Sequence, residues 1–390
     1  MRREIYLDNA ATTRPHPAVV EAMQEVLTQA YGNPSSLHRM GVEAERRVEG
    51  ARADIAALLG VNPREILFTS GATEANNLAI RGVAYAYQRR GRHLMTTQIE
   101  HSSVLEPCRR LQEEGFQVTF LPVDRHGILD PASVADAIRP ETILVSVMAV
   151  NNEVGSIQPI EEIGKIVREA EKKLGRRIFF HVDAVQALGK VPISPYRAGI
   201  DLLSLSGHKI AGPKGVGVLF VREGVQLVPL LSGGEQERGL RPGTENVPGI
   251  VGMGAAARIL AETQGTAIPR LHILRARLIA ALSGHPRIQI NGPPVEQAAP
   301  HILSITVKGV LGEHLVHRLE LDGIYVSTGS ACHSRRAEPS HVLLAMGLSK
   351  EEALSTIRIS LGYETTEEDV EVAAQAILQA VDELASLKIL

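Results

Sequence analysis

The chain has 390 residues, enough for two or three domains at roughly 150 residues each, and its 44% hydrophobic and 22% charged residues suit an ordinary soluble protein with a sizeable core. A formal net charge of -3, no tryptophan and 3% aromatic residues give neither a field of one sign nor a base-stacking platform, so nucleic acid and membrane surfaces are poor partners. The charged N-terminus lacks the apolar segment of a signal peptide, no run reaches the roughly 20 apolar residues of a membrane span, and two distant cysteines make neither a disulfide framework nor a zinc site; the expected home is the cytoplasm.

From about residue 16 to 260, short apolar runs alternate with amphipathic stretches. Strands are predicted at Glu65–Thr69, His93–Thr97, Phe116–Val123, Thr142–Val150 and Arg177–Val182, then in the apolar runs Ile200–Leu203 and Val216–Val221. Helices are predicted over Glu74–Gly82, Ser102–Gly115 and Glu161–Gly175. This alternation predicts an α/β fold with a mostly parallel sheet covered on both faces, in which ligands collect beyond the carboxyl ends of the strands. Beyond about residue 260 the texture changes. Helices at Pro269–Leu282, Glu313–Leu321 and Thr366–Leu384 and strands at Ile288–Ile290, His301–Val307, Gly323–Ser327 and Ser355–Leu361 predict a smaller α+β domain. The expected division is a large domain over 16–259 and a small C-terminal one over 260–390, joined by the segment 1–15.

Polar clusters sit at the strand ends. Thr69-Ser70-Gly71-Ala72-Thr73-Glu74 joins a strand to a helix, where free N–H groups and hydroxyls suit a phosphate, although Ser70 or Thr73 acting as an ordinary helix cap fits the same residues. His101, at the next such junction, is a candidate to stack on a cofactor ring and shuttle protons, or simply a histidine at a helix start. Ser206, His208 and Lys209 follow the run Ile200–Leu203. A lysine held between two β runs is poorly hydrated, which lowers its pKa towards that of an amine nucleophile. Such lysines form Schiff bases with pyridoxal 5′-phosphate; a solvated lysine in a hairpin turn is the plainer alternative. That cofactor also needs a carboxylate to keep its pyridine nitrogen protonated, so Asp183, one strand earlier, and Lys209 strengthen each other, though an isolated strand-end Asp is commonly a turn former.

The cysteines separate. Cys108 shares a helical apolar stripe with Val104, Leu105 and Leu111 and reads as core, whereas Cys332 lies in a small, polar and basic loop that favours the reactive thiolate. Two apparent nucleotide fingerprints fail. Gly252-Met253-Gly254 follows no strand, and Pro213 stands where a phosphate-loop lysine belongs.

Together these motifs resemble the cysteine desulfurases of the NifS/IscS family, of the class V aminotransferase type. The likeness runs through Tyr6-Leu7-Asp8-Asn9-Ala10-Ala11-Thr12-Thr13, Gly32-Asn33-Pro34-Ser35-Ser36, Ser70–Glu74, Glu100-His101, Val150-Asn151-Asn152-Glu153 and His181-Val182-Asp183. It continues through Ser206-Gly207-His208-Lys209, Arg241-Pro242-Gly243-Thr244-Glu245-Asn246 and Gly329-Ser330-Ala331-Cys332. The resemblance implies the type I fold of pyridoxal phosphate enzymes, with that cofactor, and conversion of L-cysteine to L-alanine with sulfur passed to an enzyme cysteine as persulfide. Lys209 then resembles the cofactor-bearing lysine, Asp183 the partner of the ring nitrogen and His101 the stacking imidazole. Gln186 and Asn152 resemble the groups near the ring hydroxyl, with Asn152 also near substrate. Ala72, Thr73, Ser206 and His208 resemble the phosphate cup, and Thr244 the residue reaching that phosphate from the other subunit of a homodimer. Arg358 looks like the clamp on the substrate carboxylate, and Cys332 like the sulfur-accepting nucleophile on the way to an acceptor protein. His333 and Arg335-Arg336 depart from the smaller neutral residues common in that loop, and the chain stops at Leu390 without the extension by which housekeeping members dock a scaffold. Selenocysteine lyase, a class V aminotransferase and a binding protein without turnover are the alternatives.

Overall fold

The computed structural model describes residues 4–329 and 338–386. Its strands in chain order are β1 (Ile5–Tyr6), β2 (Ile66–Thr69), β3 (His93–Thr97), β4 (Gln117–Leu121), β5 (Thr142–Met148), β6 (Phe179–Asp183), β7 (Leu202–Ser206), β8 (Gly217–Val221), β9 (Ile288–Asn291), β10 (Ile302–Val307), β11 (Ile324–Tyr325) and β12 (Thr356–Ser360). Seven form one sheet in the order β2-β8-β7-β6-β5-β3-β4, parallel except that β8 runs against both neighbours. The pleat sends alternate residues to opposite cores. Phe179, Leu202 and Leu219 pack with the helices Ala72–Tyr87 and Ser102–Glu113, while Phe180, Leu203 and Phe220 face the core that holds Val19, Ile55 and Met253. Continuous apolar runs such as β8 follow from this two-sided burial.

Register lines up the carboxyl ends. Met148 pairs with Asp183 and Asp183 with Ser204, while Gly217 stands opposite both Thr69 and Ser206. A Cβ on Gly217 would lie 2.6 Å from the Gly71 Cα, so only glycine lets the loop after β2 fold over the sheet edge.

A second layer is the antiparallel sheet β12-β10-β9, with β1 and β11 paired beside it. Ile5 and Leu7 join its core, and Asp8 bridges to Ser360. The helix Val247–Leu282 serves both cores: Val247 to Leu260 pack under the large sheet, and Leu271 to Leu282 under the small one. The sequence predicts its start at Pro269, a favoured first-turn residue, but buried side chains on either side carry the helix through that proline. Likewise Gly82 does not end its helix. It lies inside Ala72–Tyr87, where a bare Cα leaves room for Leu227, and its carbonyl accepts from Val228 N at 3.1 Å. Among the described residues no helix is long and apolar enough to cross a membrane.

The segment carrying Thr244 is pinned by a buried ion pair. Glu237 takes two hydrogen bonds from Arg52, at 2.7 and 3.0 Å, and a third from Phe68 N at 2.9 Å, with Glu237 and Arg238 both in the left-handed backbone region. Without Glu237, Arg52 keeps only Glu49 and the Ile66 carbonyl as acceptors among the described residues and Phe68 N loses its acceptor, so Glu237→Ala should lower unfolding free energy by about 2–3 kcal/mol. Urea denaturation checks this, and an unchanged midpoint would show that the pair contributes nothing.

Candidate active site

Lys209 lies in a single 3-10 turn, Gly207–Lys209, at the carboxyl end of β7. The N-terminal segment wraps this turn: Thr13 N and Oγ1 donate to the His208 carbonyl at 2.9 and 2.8 Å, and His208 Nδ1 meets Thr12 Oγ1 at 3.1 Å. Lys209 Nζ donates to the carbonyls of Ala10 and Ala11 at 2.5 and 2.7 Å. Ala10 N is itself held by Ser360 Oγ at 2.8 Å, so the segment is tied to β12 as well.

Asp183 ends β6 and is buried. One carboxylate oxygen accepts from Val185 N at 3.0 Å, the other from Asn76 Nδ2 at 2.8 Å. The same amide nitrogen donates to Ser103 Oγ at 2.8 Å, and Ser103 Oγ meets His101 Nδ1 at 2.8 Å. Asp183 and His101 are thereby linked through Asn76 and Ser103. His101 Nδ1 also accepts from Ser103 N at 3.1 Å, which leaves the proton on Nε2. Burial lowers the His101 pKa, Asp183 opposes this, and Lys209 and His341 add to it, a balance that favours the uncharged ring. Behind it Glu100, fully buried and accepting from Thr97 Oγ1 and Met148 N, has its carboxyl pushed up to about 8 by burial.

The helix Ala72–Tyr87 begins at Gly71 with no side-chain cap. Neither Ser70 nor Thr73 takes the capping role their sequence allows, and Ser70 N donates instead to Glu74 Oε2 at 2.8 Å. The first-turn N–H groups, Ala72 and Thr73 among them, thus open at the same end of the sheet as Ser206 and His208. Burial, then Lys209, Lys214 and Lys190, pull His208 down to about 4. Gln186, buried, donates to the Ala10 carbonyl at 2.9 Å and accepts from His301 Nε2 at 3.1 Å.

Arg358 comes from β12, 3% exposed, and its guanidinium donates to the Asn152 carbonyl at 2.9 Å and to Asp8 Oδ1 at 2.8 Å. Asn151 holds the turn that presents Asn152 by accepting from Glu153 N and Val154 N. Thr244 is exposed. Cys332, with His333 and Arg335-Arg336, lies outside the described residues. Cys108 is buried in the core, as its stripe predicts, and burial pushes its thiol up to about 12, far from a reactive state. Asn76, Ser103 and Glu100 carry no role in the sequence reading. The signal for Asn76 is an amide on the apolar face of its helix, between Ala75 and Leu78.

The profile of the family described as aminotransferase class-V matches residues 5–372. The cysteine desulfurase IscS of Methanosarcina thermophila is 46% identical over 385 residues, covering 99% of this chain and 94% of that protein. A solved structure described as a NifS-like protein superposes with a TM-score of 0.91 at 41% identity, covering 98% of this chain and 100% of that one. Another, described as SspA in complex with cysteine, gives a TM-score of 0.81 at 38% identity over 93% of this chain and 100% of that one. With a full-length relative so similar and a profile spanning nearly the whole sequence, the chain belongs to the class-V aminotransferase family of pyridoxal phosphate enzymes, within its cysteine desulfurases.

Proposed function

We propose that this cysteine desulfurase binds pyridoxal 5′-phosphate through Lys209 and moves sulfur from L-cysteine to Cys332, releasing L-alanine. The observation that carries the reading is the amine of Lys209 and the carboxylate of Asp183 at the ends of adjacent parallel strands, with His101 hydrogen-bonded through Ser103 and Asn76 to that carboxylate. This donor set fits the cofactor. An amine can link to its aldehyde, a carboxylate can hold its ring nitrogen protonated, an imidazole can cover its ring, and an uncapped helix start with Thr73, Ser206 and His208 can take its phosphate.

When bound, the cofactor supplies an electron sink for the carbanion left by loss of the substrate Cα proton. Lys209 Nζ, once displaced by substrate, takes that proton. Arg358 holds the substrate carboxylate, trading its Asp8 contact for a bidentate one, and Asn152 and Gln186 orient the bound pair. His101 would first take up a proton during turnover, a charge that Asp183 favours, and then pass a proton from Nε2 towards the alanine product. The Cys332 thiolate attacks the substrate sulfur: an S–S bond forms, the Cβ–S bond breaks, and the electron pair returns to the alanine carbon, which is protonated. The persulfide then passes to an acceptor protein serving iron–sulfur cluster assembly or other thio-cofactors, in the cytoplasm. The working unit is a homodimer in which Thr244 reaches the neighbouring subunit's phosphate, a reading supported by exposed Tyr31, Leu37 and Leu231.

Incubation with L-cysteine should release alanine and add one sulfur to the peptide bearing Cys332. Cys332→Ala should stop alanine release while keeping the yellow absorbance, and full turnover by this variant would refute the assignment of the nucleophile.

A further inference from the structure

Lys190 is buried, yet among the described residues no carboxylate pairs with it. Its amine donates to the Lys209 carbonyl at 2.7 Å and, loosely, to the Leu188 carbonyl at 3.5 Å; the Tyr363 ring centre lies 5.7 Å away. Among the described residues, Lys209, His208 and His301 are coupled to its charge, and none of the three is an anion. A buried ammonium without a counter-ion is costly, and a methionine would fill the same volume at lower cost, so a local use is required.

The turn it contacts supplies that use. Ala211, two residues beyond the turn, sits at φ 58, a strained backbone for a residue with a Cβ. Every carbonyl of Gly207–Lys209 has a donor: Gly207 takes Ile210 N and Gly212 N, His208 takes Thr13, and Lys209 takes Lys190. Lys190 itself is anchored. Gly189 stands at φ 74 with its carbonyl accepting from Tyr363 Oη at 3.0 Å, and a Cβ there would lie 2.4 Å from Leu260. Tyr363 follows β12, the strand of Arg358, so one set of contacts runs from the reacting lysine to the layer that carries the carboxylate clamp.

We propose that Lys190 is a positioning residue for Lys209, fixing the main chain of the reacting lysine and placing a second amine where it disfavours a proton on the first. This rests on the reading of Lys209 as the cofactor-bearing lysine. Burial, then the Lys209 charge, pulls Lys190 down to about 7, and such coupling is reciprocal. A charged Lys190 opposes protonation of the Lys209 nitrogen, so removing it can only raise the pH at which that nitrogen loses its proton.

The test compares the enzyme loaded with pyridoxal phosphate as wild type, K190M, K190Q and K190R. In K190M the visible band of the bound cofactor should persist with its pH midpoint raised by about half a unit or more. Its kcat should fall about tenfold while KM for L-cysteine stays within about twofold. K190R, which keeps the donor and stays charged throughout, should hold the midpoint at or below the wild-type value and recover most of kcat. K190Q, which keeps only the donor, should show the raised midpoint, and it carries the comparison if K190M does not fold. A wild-type midpoint in K190M or K190Q overturns the inference, as does a K190R enzyme no better than K190M. A wild-type enzyme with no visible band would instead overturn the assignment of Lys209.

Discussion

Replacing Lys209 by alanine should abolish alanine release from L-cysteine, by roughly ten-thousand-fold or more, while the protein stays folded. Both tasks assigned to the amine disappear together: its link to the cofactor aldehyde and its removal of the Cα proton. Packing changes little by comparison. Lys209 Nζ contacts main-chain carbonyls of Ala10 and Ala11 at the open end of the sheet, while the turn itself is held by Thr13, Gly212 and Lys190 through backbone atoms that alanine retains. Losing the charged donor should therefore cost about 1–3 kcal/mol of stability. K209R is the informative control, since it keeps a cation near the two carbonyls but cannot form the link; it should be as inactive as K209A and more stable. Alanine release above about one per cent of wild type in either variant would remove Lys209 from the chemistry.

Much of this site was legible because parallel strands write their ends into the sequence. A buried run such as residues 202–205 is interrupted only by Ser204 before it leaves the sheet, so the polar residues that follow it stand where ligands collect. Lys209, Asp183 and His101 were readable for that reason. Contacts closed over long separations were not. The motif Asp8–Thr13 matches the family, but that Ala10 and Ala11 meet Lys209 Nζ across about 200 residues depends on β1 docking in the second layer. Arg358 is likewise brought in by β12, and nothing near it in sequence tells that Asp8 holds its guanidinium. Asn76 hides in an otherwise apolar helix face, and Lys190 follows a glycine in what looks like an ordinary turn; only the fold shows each on a catalytic neighbour. In the long helix Val247–Leu282, Pro269 resembles a start signal, and the burial that overrides it comes from two cores that the sequence does not juxtapose.

Asp183→Asn should cut kcat/KM for L-cysteine by roughly a hundred- to ten-thousand-fold with almost no change in stability. The substitution is nearly isosteric, and the retained carbonyl oxygen can still accept from Val185 N. What changes is the side facing Asn76. Its Nδ2 now donates to the carboxylate and to Ser103 Oγ, and its own Oδ1 has no hydrogen-bond partner among the described residues. An amide in place of the carboxylate can be accommodated by turning Asn76 so that this oxygen accepts, but Ser103 then loses its donor and the path to His101 is broken. Charge is the larger loss. A carboxylate stabilises a protonated pyridine nitrogen, a neutral amide does not, and without that proton the ring no longer draws off the electrons freed at Cα. D183E, which keeps the charge on a longer arm, should regain part of the activity, whereas N76A should cost far less because the carboxylate stays. Single-turnover alanine release and the absorption spectrum of the loaded variants separate these effects. A D183N enzyme holding more than about a tenth of wild-type kcat/KM would show that the ring nitrogen needs no anion here.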